Sequence, residues 1–440
     1  MELKIGIIGL GFVGLSLAAV LGSKGYHVIG IDSDKSKISQ INSGNIPFYE
    51  PGLDTVLKKA LKRKFLVSSN ISKEIKNCKL IFVTVGTPQL KTGQIDLSMI
   101  KEVSKTIGTE LKYLKNNPII IIKSTVTPGT TKNVIIPILE KESGKKVDND
   151  FGVISNPEFL RESKAIDDTV NPHIVVLGSK KNNYRNYLRK FYKKNHPAAP
   201  IIETNNQTAE IIKYANNSFL ATKISFINQI ASICETISGA NVQDVASAIG
   251  LDPRIGNLFL EAGPGYGGSC LPKDVKAIIN FSKNQGIDST LFKAVEEINQ
   301  QQVKKIIKNI EKLLGKIKGK KITILGISFK PFTDDIRDSV SIELIKQLLR
   351  KNVIITVHDP KALEKTKMIF GDKIIYSKSI KNSLMNSQCC VLLTPWPEYK
   401  KISNNEIKVM KKKIFIDTRR MLFEKKLKVD YHALGIGENT

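Results

Sequence analysis

A glycine-rich turn near the N-terminus constrains the fold of this chain more than any other feature. Residues 3–34 read as an apolar strand, a turn containing Gly9, Gly11 and Gly14, an amphipathic helix, and a second strand ending at Asp32. The backbone N–H groups of such a turn approach a pyrophosphate held at the helix N-terminus. A carboxylate in the position of Asp32 accepts the ribose hydroxyls of NAD and repels a 2′-phosphate. The segment therefore predicts an NAD-binding βαβ unit.

The rest of the chain predicts an α/β fold with more than one hydrophobic core, because 440 residues exceed what a single core serves. Apolar runs at 80–85, 119–122 and 152–154 alternate with helical patterns, which is typical of a parallel sheet covered on both faces. From about Gln207 the pattern is helical until after Gly319, where a second βαβ-like unit begins.

These patterns predict two Rossmann-like, doubly wound parallel-sheet lobes joined by a long central helical segment. The predicted domains are an NAD-binding lobe at 1–205, a helical domain with the dimer interface at 206–318, and a second lobe for a different nucleotide ligand at 319–440.

The charge balance allows several classes of partner, since 68 basic and 41 acidic residues give a formal net charge of +27. A positive field attracts nucleic acid, a membrane surface or an anionic substrate. The excess is mostly lysine spread along the chain, which favours solvated lysine faces, and no nucleic-acid-binding module accompanies it. We expect neither a nucleic-acid nor a membrane partner, and the basic nucleic-acid-binding protein stays as a remote alternative.

The five cysteines are an odd number without C-x-x-C spacing, so the sequence predicts neither a disulfide framework nor a metal site. A reducing compartment, the cytoplasm, is the expected location.

The segment GPGYGGSCLPKDV around Cys270 carries the clearest chemical signal. Its glycines indicate a backbone close to a ligand, and Pro272 indicates a helix start. Cys270 then lies at a helix N-terminus, where the helix dipole and Lys273 both favour the thiolate. Asp274 follows one turn later on the same face. The pattern predicts a thiol nucleophile with a carboxylate beside it, whereas the other four cysteines are interpreted as buried structural residues.

Five motifs together resemble those of the UDP-glucose/GDP-mannose dehydrogenase family, in the same order and along essentially the whole chain. They are the N-terminal glycine turn, IKSTVTPGTT, ISNPEFLRES, GPGYGGSCLPKDVKA and ILGISFKPFTDDIRDS. The resemblance implies NAD-dependent oxidation of a nucleotide-sugar primary alcohol to a carboxylate, through a thiohemiacetal and a thioester on Cys270. It implies the catalytic residues Cys270, Thr125, Glu158, Lys213, Asn217 and Asp274. The division of proton transfers among Glu158, Lys213 and Asp274 stays open.

The resemblance also implies the binding residues. Those for NAD are Gly9, Gly11, Phe12, Val13, Gly14, Asp32, Lys37, Thr87, Thr125, Glu162, Lys273 and Arg337. Those for the nucleotide sugar are Glu158, Phe159, Leu160, Lys213, Asn217, Arg254, Tyr266, Gly267, Lys330 and Arg419.

Spacing and family resemblance add two further expectations. Glu158 and Glu162 are four residues apart, as are Lys213 and Asn217, so each pair is expected to face one site from a helix. Arg254, in DPRIG, resembles an arginine that a partner subunit inserts into the neighbouring site, which implies a homodimer or higher homo-oligomer.

Two departures from the family pattern concern the substrate. Leu271 and Ser163 resemble the GDP-mannose enzymes, whereas DPRIGNLFLEAGPGYGG is closer to the UDP-glucose branch. The longer motif favours UDP-glucose, and GDP-mannose or a UDP-N-acetylhexosamine remains the alternative.

Overall fold

The computed structural model describes residues 3–90 and 92–437. The chain divides into two compact units, Met1–Asn216 and Asn217–Thr440. Each unit is built around one sheet with helices on both of its faces. The division falls inside one long helix, Asn206–Cys234, and the predicted three-domain division stays a prediction.

The first unit contains an eight-stranded sheet in the order β3-β2-β1-β4-β5-β6-β7-β8. Its strands are β1 (Lys4–Ile8), β2 (His27–Ile31), β3 (Phe65–Ser68), β4 (Leu80–Val83), β5 (Ile119–Ile122), β6 (Gly152–Ser155), β7 (Val175–Gly178) and β8 (Ile201–Thr204). Neighbours are parallel except β6 and β7, which are antiparallel, so β7 and β8 run opposite to the other six strands.

Helices cover both faces of this sheet. They are α1 (Phe12–Ser23), α2 (Lys35–Asn42), α3 (Leu53–Leu61), α4 (Ile71–Glu74), α5 (Ser98–Leu111), α6 (Ile136–Ser143), α7 (Ala165–Val170), α8 (Asn183–Asn195) and the first part of α9 (Asn206–Cys234). A 3-10 turn at Ile75–Asn77 and a π-helical turn at Thr131–Ile135 complete the unit.

The central strands of the first sheet are apolar on both faces because helices cover both. Ile5 of β1 pairs with Val28 on one side and Leu80 on the other. Alternate residues then point to opposite layers, so Ile7 packs in the cluster that includes α1 and Ile8 in the cluster that includes α5. This arrangement fixes the turn that follows β1 at the carboxyl end of the sheet.

The second unit contains a six-stranded, fully parallel sheet in the order β11-β10-β9-β12-β13-β14. Its strands are β9 (Lys321–Leu325), β10 (Ile354–His358), β11 (Ile375–Tyr376), β12 (Cys389–Leu392), β13 (Ile414–Asp417) and β14 (Asp430–Ala433). Its helices, after the end of α9, are α10 (Val242–Gly250), α11 (Leu271–Asn284), α12 (Thr290–Leu314), α13 (Val340–Arg350), α14 (Leu363–Phe370), α15 (Ile380–Leu384) and α16 (Asn404–Ile407), with 3-10 turns at Gly371–Lys373 and Pro397–Lys401.

Counted within each unit, the first six strands of both sheets follow the order 3-2-1-4-5-6 of doubly wound nucleotide-binding folds. The predicted fold class is confirmed. In such sheets ligands bind outside the carboxyl ends of the strands where the strand order reverses, which is between β1 and β4 in the first unit and between β9 and β12 in the second. Among the described residues, the structure contains no helix that is long and apolar enough to cross a membrane.

Candidate active site

The glycine turn after β1 has the geometry that a bound pyrophosphate requires. Gly11 is the N-cap of α1, and a Cβ atom at Gly14 would overlap the carbonyl oxygen of Gly9. Glycine at position 14 therefore lets the helix pack directly on the turn. Thr84, just after β4, donates its hydroxyl to the Gly9 carbonyl at 2.7 Å and closes the turn from the neighbouring strand. The first N–H groups of α1 then point outward from the carboxyl edge of the sheet.

Asp32 lies directly beside this turn. Its Oδ2 accepts hydrogen bonds from the Leu10 N–H at 2.8 Å and from Lys37 Nζ at 2.7 Å, and its Oδ1 accepts one from the Asp34 N–H at 3.0 Å. Partial burial opposes ionisation, but these hydrogen bonds outweigh it and hold the pKa of Asp32 below its ordinary value. An ionised carboxylate thus adjoins the glycine turn, as a ribose-binding residue must.

Lys213 and Glu158 form a buried ion pair in the first unit. Lys213 Nζ lies 3.1 Å from Glu158 Oε1, and the two side chains are only 5% and 8% exposed. The other oxygen, Oε2, accepts the Leu160 N–H at 2.6 Å. Burial alone would raise the pKa of Glu158, but the charge of Lys213, these hydrogen bonds and the charge of Lys123 together lower it. The Lys213 ammonium also lies 5.4 Å from the centre of the Phe159 ring.

The expectation that Glu158 and Glu162 face one site from a helix is wrong. Both residues lie in the irregular segment between β6 and α7. The Glu158 carboxylate binds the N–H two residues ahead, which is a local bond that competes with helix formation. Ser163 in the same segment has φ +65°, in the left-handed region. Glu162 is buried in this loop, whereas Lys213 and Asn217 do lie one turn apart on α9, as predicted.

Thr125 belongs to the segment that follows β5. Its carbonyl accepts a hydrogen bond from the Thr87 hydroxyl at 2.6 Å, and Thr125 lines one small cavity together with Lys213 and Glu210. Glu210, one turn before Lys213 on α9, accepts the N–H groups of Gly129 at 2.6 Å and Thr131 at 2.9 Å. The structure therefore brings Thr87, Thr125 and Lys213 together.

In the second unit, Cys270 is the N-cap residue of α11, as the sequence predicts. Its Sγ lies 3.6 Å from the Ser269 hydroxyl, and its carbonyl accepts the Asp274 N–H at 2.9 Å. Asp274 is almost completely buried, and it accepts hydrogen bonds from Asn217 Nδ2 at 2.6 Å and from Lys273 Nζ at 2.7 Å. A half-buried thiol thus lies at the N-cap of a helix whose first turn holds a fixed carboxylate.

The glycine segment before Cys270 packs against segments that follow strands β9 and β13. The Gly268 N–H donates to the Arg337 carbonyl at 3.0 Å, and a Cβ at Gly263 would lie 2.5 Å from Nη1 of Arg419. Glycine at 263 therefore leaves the space that this guanidinium fills. Burial lowers the pKa of Arg419 to about 10, which leaves the guanidinium charged at neutral pH.

The remaining predicted substrate residues occupy the same unit. Tyr266 is held through its backbone by Asn299, at 2.8 and 3.0 Å, and the adjacent Gly267 packs against Phe329 and Asp338. The Lys330 ammonium lies 5.4 Å from the centre of the Phe329 ring.

Two predicted arginines are exposed and each is paired with a nearby aspartate. Arg337 bonds Asp335 through both Nε and Nη2, and its side chain is 63% exposed. Arg254 bonds Asp252 in the same way, and its side chain is 87% exposed.

Comparison with known proteins agrees with this geometry. Three models of the UDP-glucose/GDP-mannose dehydrogenase family match the chain: the NAD-binding domain at residues 3–196, the central domain at 207–301 and the UDP-binding domain at 323–424. The UDP-glucose 6-dehydrogenase TuaD of Bacillus subtilis is 39% identical over 437 residues, which are 98% of this chain and 93% of that protein.

The chain belongs to the UDP-glucose/GDP-mannose dehydrogenase family. Two solved structures extend the likeness to the fold. A UDP-glucose dehydrogenase from Pyrobaculum islandicum has a TM-score of 0.92 at 31% identity, with 99% of this chain and 98% of that chain covered. A UDP-D-ManNAc dehydrogenase from Pyrococcus horikoshii has a TM-score of 0.87 at 26% identity, with both chains covered completely.

As a member of the UDP-glucose/GDP-mannose dehydrogenase family, the protein is an NAD-dependent oxidoreductase that acts on a nucleotide sugar. The predicted NAD residues fit that cofactor. Glycine turns of this kind offer backbone donors to a pyrophosphate, and Asp32 lies directly after β2, where dinucleotide-binding folds carry the acidic residue that binds the ribose.

The second unit of this family member differs from the first at the residue that corresponds to Asp32. Asp359, directly after β10, is 2% exposed. It accepts the N–H groups of Ile327, Ser328, Lys361 and Ala362 at 2.7 to 3.0 Å. Asp32 accepts one N–H of the turn after β1, that of Leu10, whereas Asp359 accepts two of the turn after β9, those of Ile327 and Ser328.

Sequence reasoning missed Lys123, Asn156 and Glu210. Each stands next to a predicted site residue: Lys123 precedes Thr125 by two, Asn156 precedes Glu158 by two, and Glu210 precedes Lys213 by one helical turn. A usable signal exists for Lys123 and Asn156, because a polar residue directly after a buried strand lies at the carboxyl edge of the sheet, where ligands bind.

Proposed function

We propose that this protein oxidises UDP-glucose to UDP-glucuronate in two successive steps. The observation that carries the proposal is the arrangement around Cys270, a half-buried thiol at the N-terminus of α11 with Asp274 fixed one turn away. A helix N-terminus stabilises a thiolate, and a thiolate attacks an aldehyde carbon. Support for UDP-glucose comes from the relatives, since the TuaD enzyme is 39% identical and the UDP-D-ManNAc enzyme 26%.

In the proposed mechanism, the Cys270 sulfur adds to C6 of the aldehyde formed by the first oxidation and gives a thiohemiacetal. The second oxidation converts the thiohemiacetal to a thioester. Water then attacks the thioester carbon, the C–S bond breaks, and the carboxylate leaves while the thiol recovers a proton. The chemistry that NAD supplies when bound is acceptance of the two hydrides that leave C6. The covalent bond to sulfur keeps the aldehyde from escaping.

The charged groups of each unit suit the proton and charge transfers of these steps. We assign stabilisation of the developing oxyanion to the Lys213 ammonium, and activation of the hydrolytic water to the ionised Glu158 carboxylate. Asp274 and Asn217, joined by their hydrogen bond, are assigned to water positioning. Thr125 completes the set of catalytic residues.

The proposed binding residues fall into two groups, one for the nucleotide sugar and one for NAD. Lys330 and Arg419 are assigned to the nucleotide sugar, because the Arg419 guanidinium stays charged while it lies against the Gly263 backbone. Tyr266 and Gly267 are assigned to the sugar, together with Phe159 and Leu160. Phe12, Val13, Lys37, Thr87, Glu162, Lys273 and Arg337 are assigned to NAD.

A panel of nucleotide sugars tests the substrate. UDP-glucose, GDP-mannose, UDP-N-acetylmannosamine and UDP-N-acetylglucosamine are each incubated with enzyme and NAD, and NADH is followed by absorbance. We expect the highest kcat/KM with UDP-glucose, and two NADH for each UDP-glucuronate recovered by chromatography. A higher kcat/KM with one of the other three sugars contradicts the proposed substrate.

We further propose that the enzyme is a homodimer or a higher homo-oligomer built on α9. Phe219, Phe226 and Ile233 repeat every seven residues along α9, so they share one face, and all three are large apolar side chains exposed to solvent in the single chain. A second copy that covers this face with its own gives a closed symmetric pair. The exposed Arg254 supports a role toward the partner subunit.

The location in the cytoplasm also stays a proposal. It is supported by the state of the five cysteines, none of which forms a disulfide in the described residues.

A further inference from the structure

Lys123 lies near the Lys213–Glu158 pair, at the carboxyl edge of the first sheet. It is the residue directly after β5, and its side chain reaches across to the neighbouring strand β6. Lys123 Nζ lies 3.1 Å from Oδ1 of Asn156 and 3.4 Å from the Asn156 carbonyl oxygen. One ammonium therefore bonds both the side chain and the backbone of the residue that leaves β6.

Asn156 is 1% exposed and is held from several elements at once. Its N–H donates to the carbonyl of Ile122 at 2.8 Å, and its Nδ2 donates to the Val176 carbonyl of β7 at 2.8 Å. The Tyr192 hydroxyl of α8 donates to the same Oδ1 that Lys123 binds. Glu158 follows Asn156 by two residues, so the position of its backbone depends on this network.

The electrostatics link Lys123 to Glu158 as well. Both residues line one cavity together with Asn156 and Tyr192. The ionisable groups that act on the Lys123 amine or line the same cavity are Glu158, Lys213, His196, Tyr192 and Asp168, the last of which is paired with Arg161. Burial lowers the pKa of Lys123 to about 8, with Glu158 raising it and Lys213 lowering it further. Burial raises the pKa of Tyr192 and lowers that of His196, so both are neutral at the pH where Lys123 titrates.

We propose that Lys123 is a positioning residue for the hydrolytic step. Its ammonium fixes the segment from Asn156 to Glu158 and supplies a second positive charge, besides Lys213, that keeps the Glu158 carboxylate ionised. The inference rests on the proposed role of Glu158 in water activation. It explains why an amine occupies a site where an apolar side chain would cost less to bury.

Three variants separate this role from a merely structural one. Lys123→Met removes the charge, Lys123→Arg keeps it at all working pH values, and Tyr192→Phe removes a neutral bond to the same Asn156 oxygen. The wild-type protein and each variant are assayed with UDP-glucose and NAD from pH 5 to pH 10, and folding is checked by circular dichroism.

We expect Lys123→Met to lower kcat roughly tenfold or more while KM changes little. General-base activation contributes about 10²–10⁴-fold, and loss of Lys123 removes only part of it because Glu158 itself remains. The acidic limb of its kcat profile should move up by about one pH unit, because an opposite charge nearby lowers a carboxyl pKa by at least that much. Wild-type kcat should fall above about pH 8, where Lys123 loses its proton. Lys123→Arg should carry that basic limb to higher pH, and Tyr192→Phe should leave both limbs in place.

A wild-type pH profile and kcat in folded Lys123→Met overturns the proposal. If Lys123→Met does not fold, Lys123→Arg provides the test. A basic limb of its kcat profile that lies at the same pH as in the wild type also overturns the proposal.

A second readout needs no turnover and separates this inference from the proposed function. The pKa of Lys123 lies below its ordinary value of 10.5, so between about pH 8 and that value the unfolded chain binds the extra proton and stability rises with pH. The Tm of the wild type relative to Lys123→Arg, whose arginine does not titrate there, should therefore increase over this interval. Such an increase without oxidation of any sugar in the panel means that the proposed function has failed while Lys123 is placed as described. No increase, in an enzyme that oxidises UDP-glucose, counts against Lys123 alone.

Discussion

Asn217 Nδ2 lies 2.6 Å from Oδ2 of Asp274, so an amide of α9 donates to a carboxylate in the first turn of α11. Lys273 Nζ lies 2.7 Å from the other oxygen of the same carboxylate, and Asp274 is 1% exposed. The carboxylate beside the nucleophile is thus held through both of its oxygens. Its orientation depends on an asparagine of α9 and on a lysine of its own helix.

Asn217→Ala should lower the free energy of unfolding by about 1–3 kcal/mol, because it leaves a buried carboxylate oxygen without its donor. Denaturant unfolding measures the difference. Gln243→Ala, an exposed change on α10, is the control and should stay within about 0.5 kcal/mol of the wild type. Equal effects of the two substitutions would mean that the Asn217 bond contributes nothing.

Cys270→Ser should abolish net formation of the acid while leaving NAD binding intact, because a serine hydroxyl at this position lacks the nucleophilicity of a thiolate. UDP-glucuronate is measured by chromatography and NAD binding by calorimetry. Cys234→Ala, at the end of α9, is the matched cysteine control and should retain activity. Undiminished turnover in Cys270→Ser would rule out the covalent mechanism.

The enzyme should prefer NAD to NADP, because a 2′-phosphate would meet the ionised Asp32 carboxylate. Side-by-side kinetics with both cofactors measure the preference, and Asp32→Asn should reduce it. Lys37 adjoins the same carboxylate at 2.7 Å and attracts phosphate. An equal or better kcat/KM with NADP in the wild type would show that Lys37 and its neighbour Lys35 reverse the repulsion.

Ser163→Gly should raise the free energy of unfolding by up to about 1 kcal/mol, because Ser163 has φ +65°, a conformation that costs an L-residue about that much and glycine nothing. Ser43→Gly is the control, since Ser43 has φ −79° and gains nothing from glycine. Thermal unfolding compares the two variants. A lower Tm for Ser163→Gly would mean that the serine side chain contributes more than its strain costs.

Mixing two inactive proteins tests whether Arg254 acts on the partner subunit. Cys270→Ser and Arg254→Ala are combined under conditions that allow subunit exchange, which is verified with a labelled chain. If Arg254 acts across the interface, some mixed dimers contain one site with both wild-type residues, and activity should reappear to about a quarter of the wild-type level when the chains mix at random. Absence of recovery despite demonstrated exchange places Arg254 in its own subunit's site or in its own loop.

The sequence predicted those elements whose patterns are strong and local. The first βαβ unit, the helix at Asn206–Cys234 and the start of α11 after Cys270 lie where glycine, proline and apolar spacing put them. Strands β7 and β8 were missed. The exposed strand β8 lacks the apolar run that marks β4, β5 and β6, whereas β7 is buried and was overlooked. Their reversed direction depends on tertiary packing, which no local pattern specifies.

The site was predictable only in part, for a related reason. Residues four apart share a face only on a helix. The four-residue spacing therefore gave a correct prediction for Lys213 and Asn217, which lie on α9. It gave a wrong one for Glu158 and Glu162, which lie in a loop. The bond between Lys123 and Asn156 joins residues 33 positions apart on adjacent strands. This bond depends on β5 and β6 being neighbours in the sheet, and the local sequence does not specify the order of the strands.

The bonds of Asp359 make the second unit a poor recipient for a transplanted cofactor site. Substituting glycines into the turn after β9 would reproduce the glycine motif of the N-terminal turn. The N–H groups of Ile327 and Ser328 in that turn would still donate to the Asp359 carboxylate. An engineer would also have to remove Asp359, which takes the acceptor away from four buried backbone N–H groups. A cofactor site therefore cannot be moved from one sheet to the other merely because the strand order is the same. The hydrogen bonds of the backbone in each turn help to determine which ligand that turn can bind.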